Sequence, residues 1–267
     1  MIARSRMNSI ITFTTDFGQR DAYAGAMKGV ILGVNPLTTL IDITHDVPPQ
    51  DITAGAMILA DAAPYFPPGT LHLAVVDPGV GSDRRLIAAR TSRAVYIGPD
   101  NGLLSYALVQ DPPEIVVSIT EKRYWTPRPS STFHGRDILA PVAAHLSLGT
   151  PMEALGPAIN DWITMEASQP VAHSDGTITG EVVRIDHFGN LITNLRPEQL
   201  PANPPALSFE VSGVLVNRLS RYYAEADGLL AVIGSSGYIE IAMAGGNAAL
   251  TLKAGVGQKV VVITHTD

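Results

Sequence analysis

The first half of the chain alternates between apolar, β-branched runs and helix-like segments, and this alternation constrains the fold more than any other feature. A strand is predicted over Ser9–Thr15, and a loop and a helix over Asp21–Leu32 follow it. Strands over Leu37–Ile43 and Thr70–Val76 flank a helix over Asp51–Ala63 whose first residue is a good N-cap. Such alternation indicates a mostly parallel sheet covered by helices on both faces.

The same pattern continues to about residue 150. Further strands and helices are predicted at Leu86–Thr91, Ala94–Ile97, Glu114–Ser118, Leu103–Val109 and Ile138–Leu148. We therefore expect an α/β sandwich domain over residues 8–168.

Beyond about residue 170 the pattern changes. Residues Glu166–Asp175 are polar and contain Pro, and they are interpreted as a linker. Short alternating runs separated by Gly and Asn then predict strands at Thr177–Ile185, Leu207–Val211, Leu229–Ile233, Tyr238–Met243 and Lys259–Thr264. A smaller, all-β domain is expected over residues 176–267.

The composition of the chain limits which binding partners and which cellular location are expected. The formal charge of -7 comes without a basic patch, so nucleic acid is not an expected partner. The chain contains 0 Cys, which removes disulfides and thiolate chemistry and fits a reducing, cytoplasmic location. No apolar stretch approaches the roughly 20 residues that a membrane span needs. Met1–Met7 is interpreted as a short disordered extension, not as a signal peptide.

Acidic residues follow three predicted strands of the first domain. Asp16, Asp77 and Asp100 each come after an apolar, strand-like run. Ligands of parallel α/β sheets bind outside the carboxyl ends of the strands, so these carboxylates are candidates for a site.

The segment Asp77–Arg85 joins a strand-end carboxylate to a glycine turn and then to the guanidinium of Arg84, which can fold back. An arginine beside a buried carboxylate favours the charged form of that carboxylate. The pair is either structural, tying down a loop, or part of a catalytic site. No Lys-Ser or Lys-Thr closes the segment, so it does not match a phosphate-binding loop.

The segment Ser131–Asp137 precedes an apolar helix, so Asp137 is predicted to be its N-cap and His134 to lie in the loop before it. A single loop histidine is usually a surface residue, and a catalytic role for His134 is the alternative. Arg136 is expected to pair with Asp137 or Asp100.

The seven His residues show no H-x-x-x-H or H-E-x-x-H spacing, which makes a zinc site a weak alternative. His45 and Asp46, which also follow a predicted strand, are interpreted as turn-formers and not as ligands.

Two turns of the second domain contain polar groups. The segment Asp186–Asn194 is a β-turn or bulge, or a site in which Asp186 and Asn190 face the charged groups of an α-amino acid beside Phe188. The segment Ser235–Glu240 is a hairpin turn, or a site whose hydroxyls hold a carboxylate.

Taken in order, these segments resemble the family of S-adenosyl-L-methionine hydroxide adenosyltransferases, which are related to the fluorinase and chlorinase. The resemblance runs from about Ile10 to Val262. It rests on T-T-D-F-G, V-D-P-G-V-G-x-x-R-R, G-P-D-N-G, F-H-G-R-D, I-D-x-F-G-N-x-x-T-N and G-S-S-G-Y-x-E-I-A.

The resemblance implies roles for particular residues. The family's water-activating residues fall on Asp77, Arg84 and His134, and these form the predicted catalytic set. The predicted substrate-binding set is Asp16 for the ribose, Asp186, Asn190 and Ser235 for the methionine, and also Phe133, Phe188 and Glu240. No metal and no cofactor are expected, since S-adenosyl-L-methionine is the substrate.

The resemblance also implies an assembly. It predicts an N-terminal α/β domain, a C-terminal β-barrel-like domain, and a homotrimer with ligand between domains of neighbouring subunits. Gln50 and Ile192 stand where the fluorinase has tryptophans, so the packing around sugar and methionine is expected to differ.

Hydrolysis to adenosine and methionine is the function that the resemblance favours. The halogenases have an aromatic residue at the position of Asp77, and a carboxylate there would repel halide. The extra loop of the fluorinase between Arg90 and Tyr96 is also absent. Two alternatives are a chlorinase-like halogenase and a nucleoside- or S-adenosylmethionine-binding protein without turnover.

Overall fold

The computed structural model describes residues 9–200 and 206–265. The predicted N-terminal extension, Met1–Met7, lies outside these ranges. The chain divides into two compact units between Glu166 and Ala167. None of the helices in the described ranges has the length and apolar character of a membrane span.

The first unit is built on a six-stranded sheet with the order β2-β1-β3-β5-β4-β6. Its strands are β1 (Ile10–Thr15), β2 (Thr39–Thr44), β3 (Thr70–Val75), β4 (Leu86–Thr91), β5 (Ala94–Pro99) and β6 (Pro113–Ser118). Four neighbouring strands of this sheet are parallel to one another, namely β2, β1, β3 and β5. Strand β4 runs antiparallel to both β5 and β6. The prediction of a mixed α/β fold with a parallel sheet is confirmed.

Helices cover both faces of this sheet. They are α1 (Tyr23–Val34), α2 (Ile52–Ala62), α3 (Ser105–Gln110) and α4 (Ala140–Ser147). Leu71, Leu73 and Val75 of β3 pack in the core that contains α1 and α4 residues, whereas Ala74 and Val76 pack in the core that contains α2 and α3 residues. Because both faces of β3 are buried, its sequence is a nearly continuous apolar run.

One predicted helix cap is confirmed and one is wrong. Asp51 accepts a hydrogen bond from the Ala54 main-chain N–H at 2.9 Å and caps α2. Asp137, predicted as an N-cap, instead lies inside a π-helical turn, Gly135–Leu139, which leads into α4. The helical backbone begins before Asp137, which is therefore not at the cap position. The Asp137 carboxylate instead accepts a hydrogen bond from the Ser130 main-chain N–H at 2.8 Å.

The second unit contains a nine-stranded sheet, curled as a half-barrel, whose order is β11-β10-β15-β8-β9-β14-β13-β12, with β7 paired to β8. These strands are β7 (Val171–Ala172), β8 (Ile178–Ile185), β9 (Leu191–Thr193), β10 (Ala206–Val211), β11 (Val214–Val216), β12 (Leu219–Ser220), β13 (Leu229–Ile233), β14 (Ile239–Met243) and β15 (Lys259–His265). The first half of β8 pairs with β15 and its second half with β9, and this change of partner accompanies the curl.

Two predictions for this half of the chain need correction. The segment interpreted as a linker contains β7, which pairs with β8. The unit is also not entirely β, because a short helix, α5 (Ala248–Leu252), is capped by the side chain of Asn247, which accepts from the Leu250 N–H at 2.8 Å. Single 3-10 turns lie at Ala63–Tyr65, Lys122–Tyr124, Met152–Ala154, Pro197–Gln199 and Tyr223–Glu225.

Candidate active site

A cleft of about 300 Å³ lies at the carboxyl ends of β1 and β3. Asp16 directly follows β1, and Asp77 lies two positions beyond the end of β3. The cleft lining includes Asp16, Asp77, Gln50, Phe133 and His134. The fold therefore brings together side chains from four separate segments of the first unit.

Asp77 and Arg84 form a nearly buried ion pair, with 6% and 10% of their side chains exposed. Arg84 Nε lies 2.7 Å from Oδ1 and 2.9 Å from Oδ2 of Asp77, and Arg84 Nη2 also donates to Oδ2. Paired N–H donors of this kind fix the orientation of a carboxylate as well as its charge environment.

A glycine turn makes this pairing possible. Gly81 has a φ of 82°, which L side chains rarely adopt. A Cβ on Gly81 would lie 2.5 Å from the main-chain oxygen of Ser131, so only glycine lets the two loops approach. The turn thereby folds Arg84 back onto Asp77 and packs next to the loop that leads to His134.

His134 extends the pair into a chain of three groups, with its Nδ1 3.0 Å from Arg84 Nη2. A guanidinium can only donate, so Nδ1 accepts and the imidazole proton is on Nε2. Burial lowers the pKa of His134, the positive charge of Arg84 lowers it further, and Asp77 and Asp137 act in the opposite direction. His134 is therefore a neutral imidazole at neutral pH.

Asp16 faces the same cleft from the other strand. Its Oδ2 accepts a hydrogen bond from the Gln50 main-chain N–H at 2.8 Å. A carboxylate offers about four acceptor positions, so most of the capacity of Asp16 is left for a ligand. Gln50 itself has a φ of 67°, a left-handed conformation that is unfavourable for a residue with a side chain.

Aromatic rings form one wall of the cleft. The Phe133 ring makes edge contacts with Tyr23 and Phe17 at centroid distances of 5.1 and 5.7 Å. The Arg136 guanidinium lies 5.0 Å from the Phe133 centroid and donates to Asp137 at 2.7 Å. Arg136 thus pairs with Asp137 and not with Asp100.

Asp100, the third strand-end carboxylate, has a different environment. It is buried, it accepts from Arg85 Nε at 2.8 Å and from the Ile163 main-chain N–H at 2.7 Å, and it does not line the cleft. Its contacts fasten the segment around Ile163 to the end of β5.

In the second unit, Asp186 organises the turn between β8 and β9. Its Oδ1 accepts from the main-chain N–H groups of Phe188 and Asn190 at 2.9 and 2.8 Å, and its Oδ2 accepts from Asn190 Nδ2 at 2.9 Å. Phe188 is 72% exposed, whereas Asn190 is buried. One acceptor position on Oδ2 stays open.

Glu240 on β14 is also buried and accepts from the Tyr223 hydroxyl at 3.1 Å. Burial raises the pKa of Tyr223 to about 12, and the negative charges of Glu240 and Asp186 add to this effect. Ser235 is exposed in the turn between β13 and β14. Ile192 is buried in β9, opposite Glu240 in the strand register.

The chain matches two family models. The N-terminal domain model of the SAM hydroxide adenosyltransferases matches residues 11–156, and their C-terminal domain model matches residues 180–261. The chain belongs to the SAM hydroxide adenosyltransferase family.

The relatives of this chain include two kinds of enzyme. An (R)-S-adenosyl-L-methionine hydrolase from Salinispora tropica is 41% identical over 243 residues, which cover 90% of this chain and 92% of the relative. A fluorinase from Nocardia brasiliensis is 29% identical over 290 residues, with coverage of 95% and 97%. A solved structure, an uncharacterized conserved protein from Thermotoga maritima, has a TM-score of 0.87 and 32% identity, and covers 94% of this chain and 99% of its own.

For this family member, the strand-end argument placed Asp16 and Asp77 at the cleft, whereas Asp100, the third strand-end candidate, does not line it. The residues that the structure groups around it are Asp16, Asp77, Arg84, Phe133 and His134. Sequence reasoning missed the Gln50 main-chain donor, since any residue type can supply a main-chain N–H. It also missed Tyr223, because no local pattern links it to Glu240. Within residues 9–200 and 206–265, no group of three His, Asp or Glu residues is placed to hold a metal ion.

Proposed function

We propose that this chain hydrolyses S-adenosyl-L-methionine to adenosine and L-methionine by in-line attack of water on the 5′ carbon of the ribose. The observation that supports this most directly is the Asp77–Arg84–His134 chain, which ends in the same cleft as Asp16. The greater identity to the hydrolase than to the fluorinase agrees with it.

Asp77 is proposed to accept a hydrogen bond from the attacking water and then its proton, as the water oxygen bonds to the 5′ carbon and the carbon–sulfur bond breaks to release neutral methionine. Arg84 holds both carboxylate oxygens in place, and its Nη2 also donates to His134 Nδ1. His134 then presents Nε2–H as a donor, so the water can donate to the carboxylate and accept from the imidazole. Two fixed partners leave one lone pair of the water directed at the ribose carbon.

Asp16 is proposed to hold the ribose hydroxyls. The Gln50 N–H takes one acceptor position, and the remaining positions suit the two adjacent hydroxyls of a ribose. Phe133 is proposed to supply an apolar contact from the aromatic wall of the cleft. Residues 8–168 would thus bind the nucleoside and activate the water.

Residues 176–267 are proposed to bind the methionine part. The open acceptor position of Asp186 suits an ammonium group, and Phe188 is exposed beside it. Asn190, Ser235 and Glu240 complete this proposed set.

The reaction needs no cofactor in this proposal, because the sulfonium is already a good leaving group and departs as neutral methionine. Exhaustive chelation is therefore expected to leave turnover unchanged, whereas a metallohydrolase would lose its activated water. A large loss of activity that added metal restores would contradict this.

From the family resemblance we also propose a homotrimer in which the two sets of residues act from different copies. Mixing an Asp77→Ala chain with an Asp186→Ala chain should restore part of the activity, because some sites then contain both intact groups. A mixture that stays inactive despite verified subunit exchange would overturn this arrangement.

The test of the function itself is incubation with S-adenosyl-L-methionine, with and without chloride or fluoride, followed by chromatography of the products. Adenosine and methionine, formed equally in both conditions, are the expected products. A 5′-halo nucleoside would identify a halogenase, and intact ligand would identify a binding protein without turnover.

A further inference from the structure

A buried histidine lies behind Asp16, outside the cleft lining. His45 follows β2 directly and is only 2% exposed. Its Nδ1 lies 2.8 Å from the hydroxyl of Thr15, which is the last residue of β1 and the neighbour of Asp16. His45 is therefore one side chain removed from the carboxylate that faces the cleft.

The main chain strengthens this connection. The Gly18 N–H donates to the His45 carbonyl at 2.7 Å, and the Val47 N–H donates to the Thr15 carbonyl at 3.2 Å. The Thr15 hydroxyl also accepts from the Phe17 N–H at 3.3 Å. The short loop that carries the proposed ribose ligand is thus bonded to the His45 segment on both sides of that ligand.

The other face of the imidazole has its own partner. His45 Nε2 lies 3.1 Å from Asp42 Oδ1, an electrostatic contact without hydrogen-bond geometry. Asp42 Oδ2 accepts from Lys28 Nζ at 2.6 Å. When the Thr15 hydroxyl donates to Nδ1, the imidazole proton is on Nε2 and faces the Asp42 carboxylate. Thr15, His45, Asp42 and Lys28 then form a continuous row in which each polar group lies next to one of opposite character.

His45 differs in this respect from the residue next to it. Asp46 is exposed, and its main-chain N–H donates to the Thr44 hydroxyl at 2.9 Å, as expected for a turn. The sequence interpretation as turn-formers therefore suits Asp46 but does not account for the burial and the contacts of His45.

We propose that His45 is a positioning residue for nucleoside binding, acting through Thr15 and the adjoining main chain to fix the carboxylate of Asp16. This inference rests on the proposed function, since it assumes that Asp16 binds the ribose. A carboxylate that bonds two hydroxyls at once must be placed accurately, and a displacement of about 1 Å is enough to weaken such a contact strongly.

The test is a double-mutant cycle on the full-length protein, with the dissociation constant for adenosine measured by calorimetry or competition. His45→Ala should weaken binding roughly tenfold in the parent, and by less than about twofold in the Asp16→Ala background, because the group that it positions is gone. At saturating S-adenosyl-L-methionine, kcat of His45→Ala should stay within about threefold of the parent, whereas KM rises.

Three further variants make the result specific. Asp46→Ala, the matched control in the same turn, should bind adenosine like the parent. His45→Asn, whose amide can replace Nδ1 toward Thr15, should recover most of the affinity. Thr15→Val tests the same connection from the other side and serves if His45→Ala does not fold.

The outcomes separate the two proposals. If Asp16→Ala binds adenosine fully, the ribose assignment fails and there is nothing for His45 to position. If Asp16→Ala binds weakly but His45→Ala has the same effect in both backgrounds, only the positioning role is overturned.

Discussion

The two ends of the six-stranded sheet each hold a cavity with a histidine in its wall, and the surroundings of the two histidines differ. At the carboxyl ends, His134 contacts the Asp77–Arg84 ion pair. At the amino ends of β3 and β5, a cavity of about 200 Å³ is lined in part by His72 and Tyr96.

His72 is packed as a core residue. It is 1% exposed, its Nδ1 lies 2.8 Å from the Thr12 hydroxyl, and its ring stacks on Tyr96 with a centroid distance of 5.1 Å. Burial lowers the pKa of His72 to about 4 and raises that of Tyr96 to about 12. A shifted histidine pKa is therefore not a sign of catalysis by itself, and what distinguishes His134 is its paired, charged neighbours at a cleft.

The largest expected difference between the two ends is in turnover. Asp77→Ala should lower kcat by about 10² to 10⁴-fold while S-adenosyl-L-methionine still binds, because the carboxylate acts on the water and not on the bound substrate. The measurement is steady-state kinetics together with a binding titration.

Two further variants serve as controls, one for the shape of the Asp77 side chain and one for the removal of a carboxylate elsewhere. Asp77→Asn keeps the shape of the side chain and should lose turnover as well. Asp111→Ala removes a carboxylate from the lining of the amino-end cavity, where it accepts from Ser92 Oγ at 3.0 Å, and should leave kcat within about twofold. If Asp77→Ala and Asp111→Ala lost kcat equally, the loss in Asp77→Ala would not be evidence that turnover takes place at the carboxyl-end cleft.

The next largest effect is on affinity. Asp16→Ala should weaken adenosine binding, because each charge-assisted bond to a ribose hydroxyl contributes about 1.5 to 3 kcal/mol. The penalty for removing the 2′ hydroxyl from the ligand should be smaller in this variant than in the parent, since that hydroxyl has already lost its partner. Tyr96→Phe, at the other end of the sheet, should bind both ligands like the parent.

His72 should instead affect stability as a function of pH. The pKa of His72 is about 4 in the folded state and has its ordinary value of 6.5 in the unfolded chain, so between these pH values the unfolded chain binds the additional proton. The free energy of unfolding should therefore rise with pH across this window, by up to about 3 kcal/mol from this group, and the contribution is lost as the pH falls toward 4.

Urea denaturation of the parent and of His72→Gln at several pH values between 4 and 7 measures this difference. The variant should show a flatter pH dependence, because it keeps a hydrogen-bonding group toward Thr12 but cannot be protonated. Parallel curves for the two proteins would show that His72 keeps its ordinary pKa and that its burial has no such consequence.

The sequence predicted the parts of the fold that repeat over many residues. The strand–helix alternation located β1, β3 and α2 to within a few residues, because burial on one or both faces leaves a periodic pattern. It missed β9 and α5, which are three and five residues long and are too short to show a period. Asp137 was misassigned because a π-helical turn starts the helix earlier than an α-helical pattern would.

The residues around the cleft were predicted partly for a physical reason and partly from the family resemblance. Asp16 and Asp77 follow strands of the parallel sheet, where topology alone brings side chains together, whereas His134 was assigned by the resemblance and not by its position. The difference between His45 and Asp46 was not predictable, since the two residues are adjacent and only the folded structure shows that His45 is buried against Thr15 while Asp46 is exposed. The Gln50 contact to Asp16 was not predictable either, because it depends on a main-chain conformation.

The smallest expected effect concerns that conformation, and it separates the two ends of the sheet by backbone strain. Within the described part of the first unit, residues 9–166, Gln50 is the one non-glycine residue with a positive φ, and it lies at the carboxyl-end cleft. A left-handed conformation costs about 1 to 2 kcal/mol for a residue with a Cβ, and glycine adds about 0.5 to 1 kcal/mol of unfolded-state entropy. Gln50→Gly should therefore stabilise the protein by up to about 1 kcal/mol in urea denaturation.

Gly18→Ala, in the neighbouring loop with a φ of 64° and no atom within 4 Å of the added Cβ, should destabilise it by a similar amount through strain alone. A loss of stability in Gln50→Gly would show that the exposed Gln50 side chain contributes more to stability than its backbone strain costs.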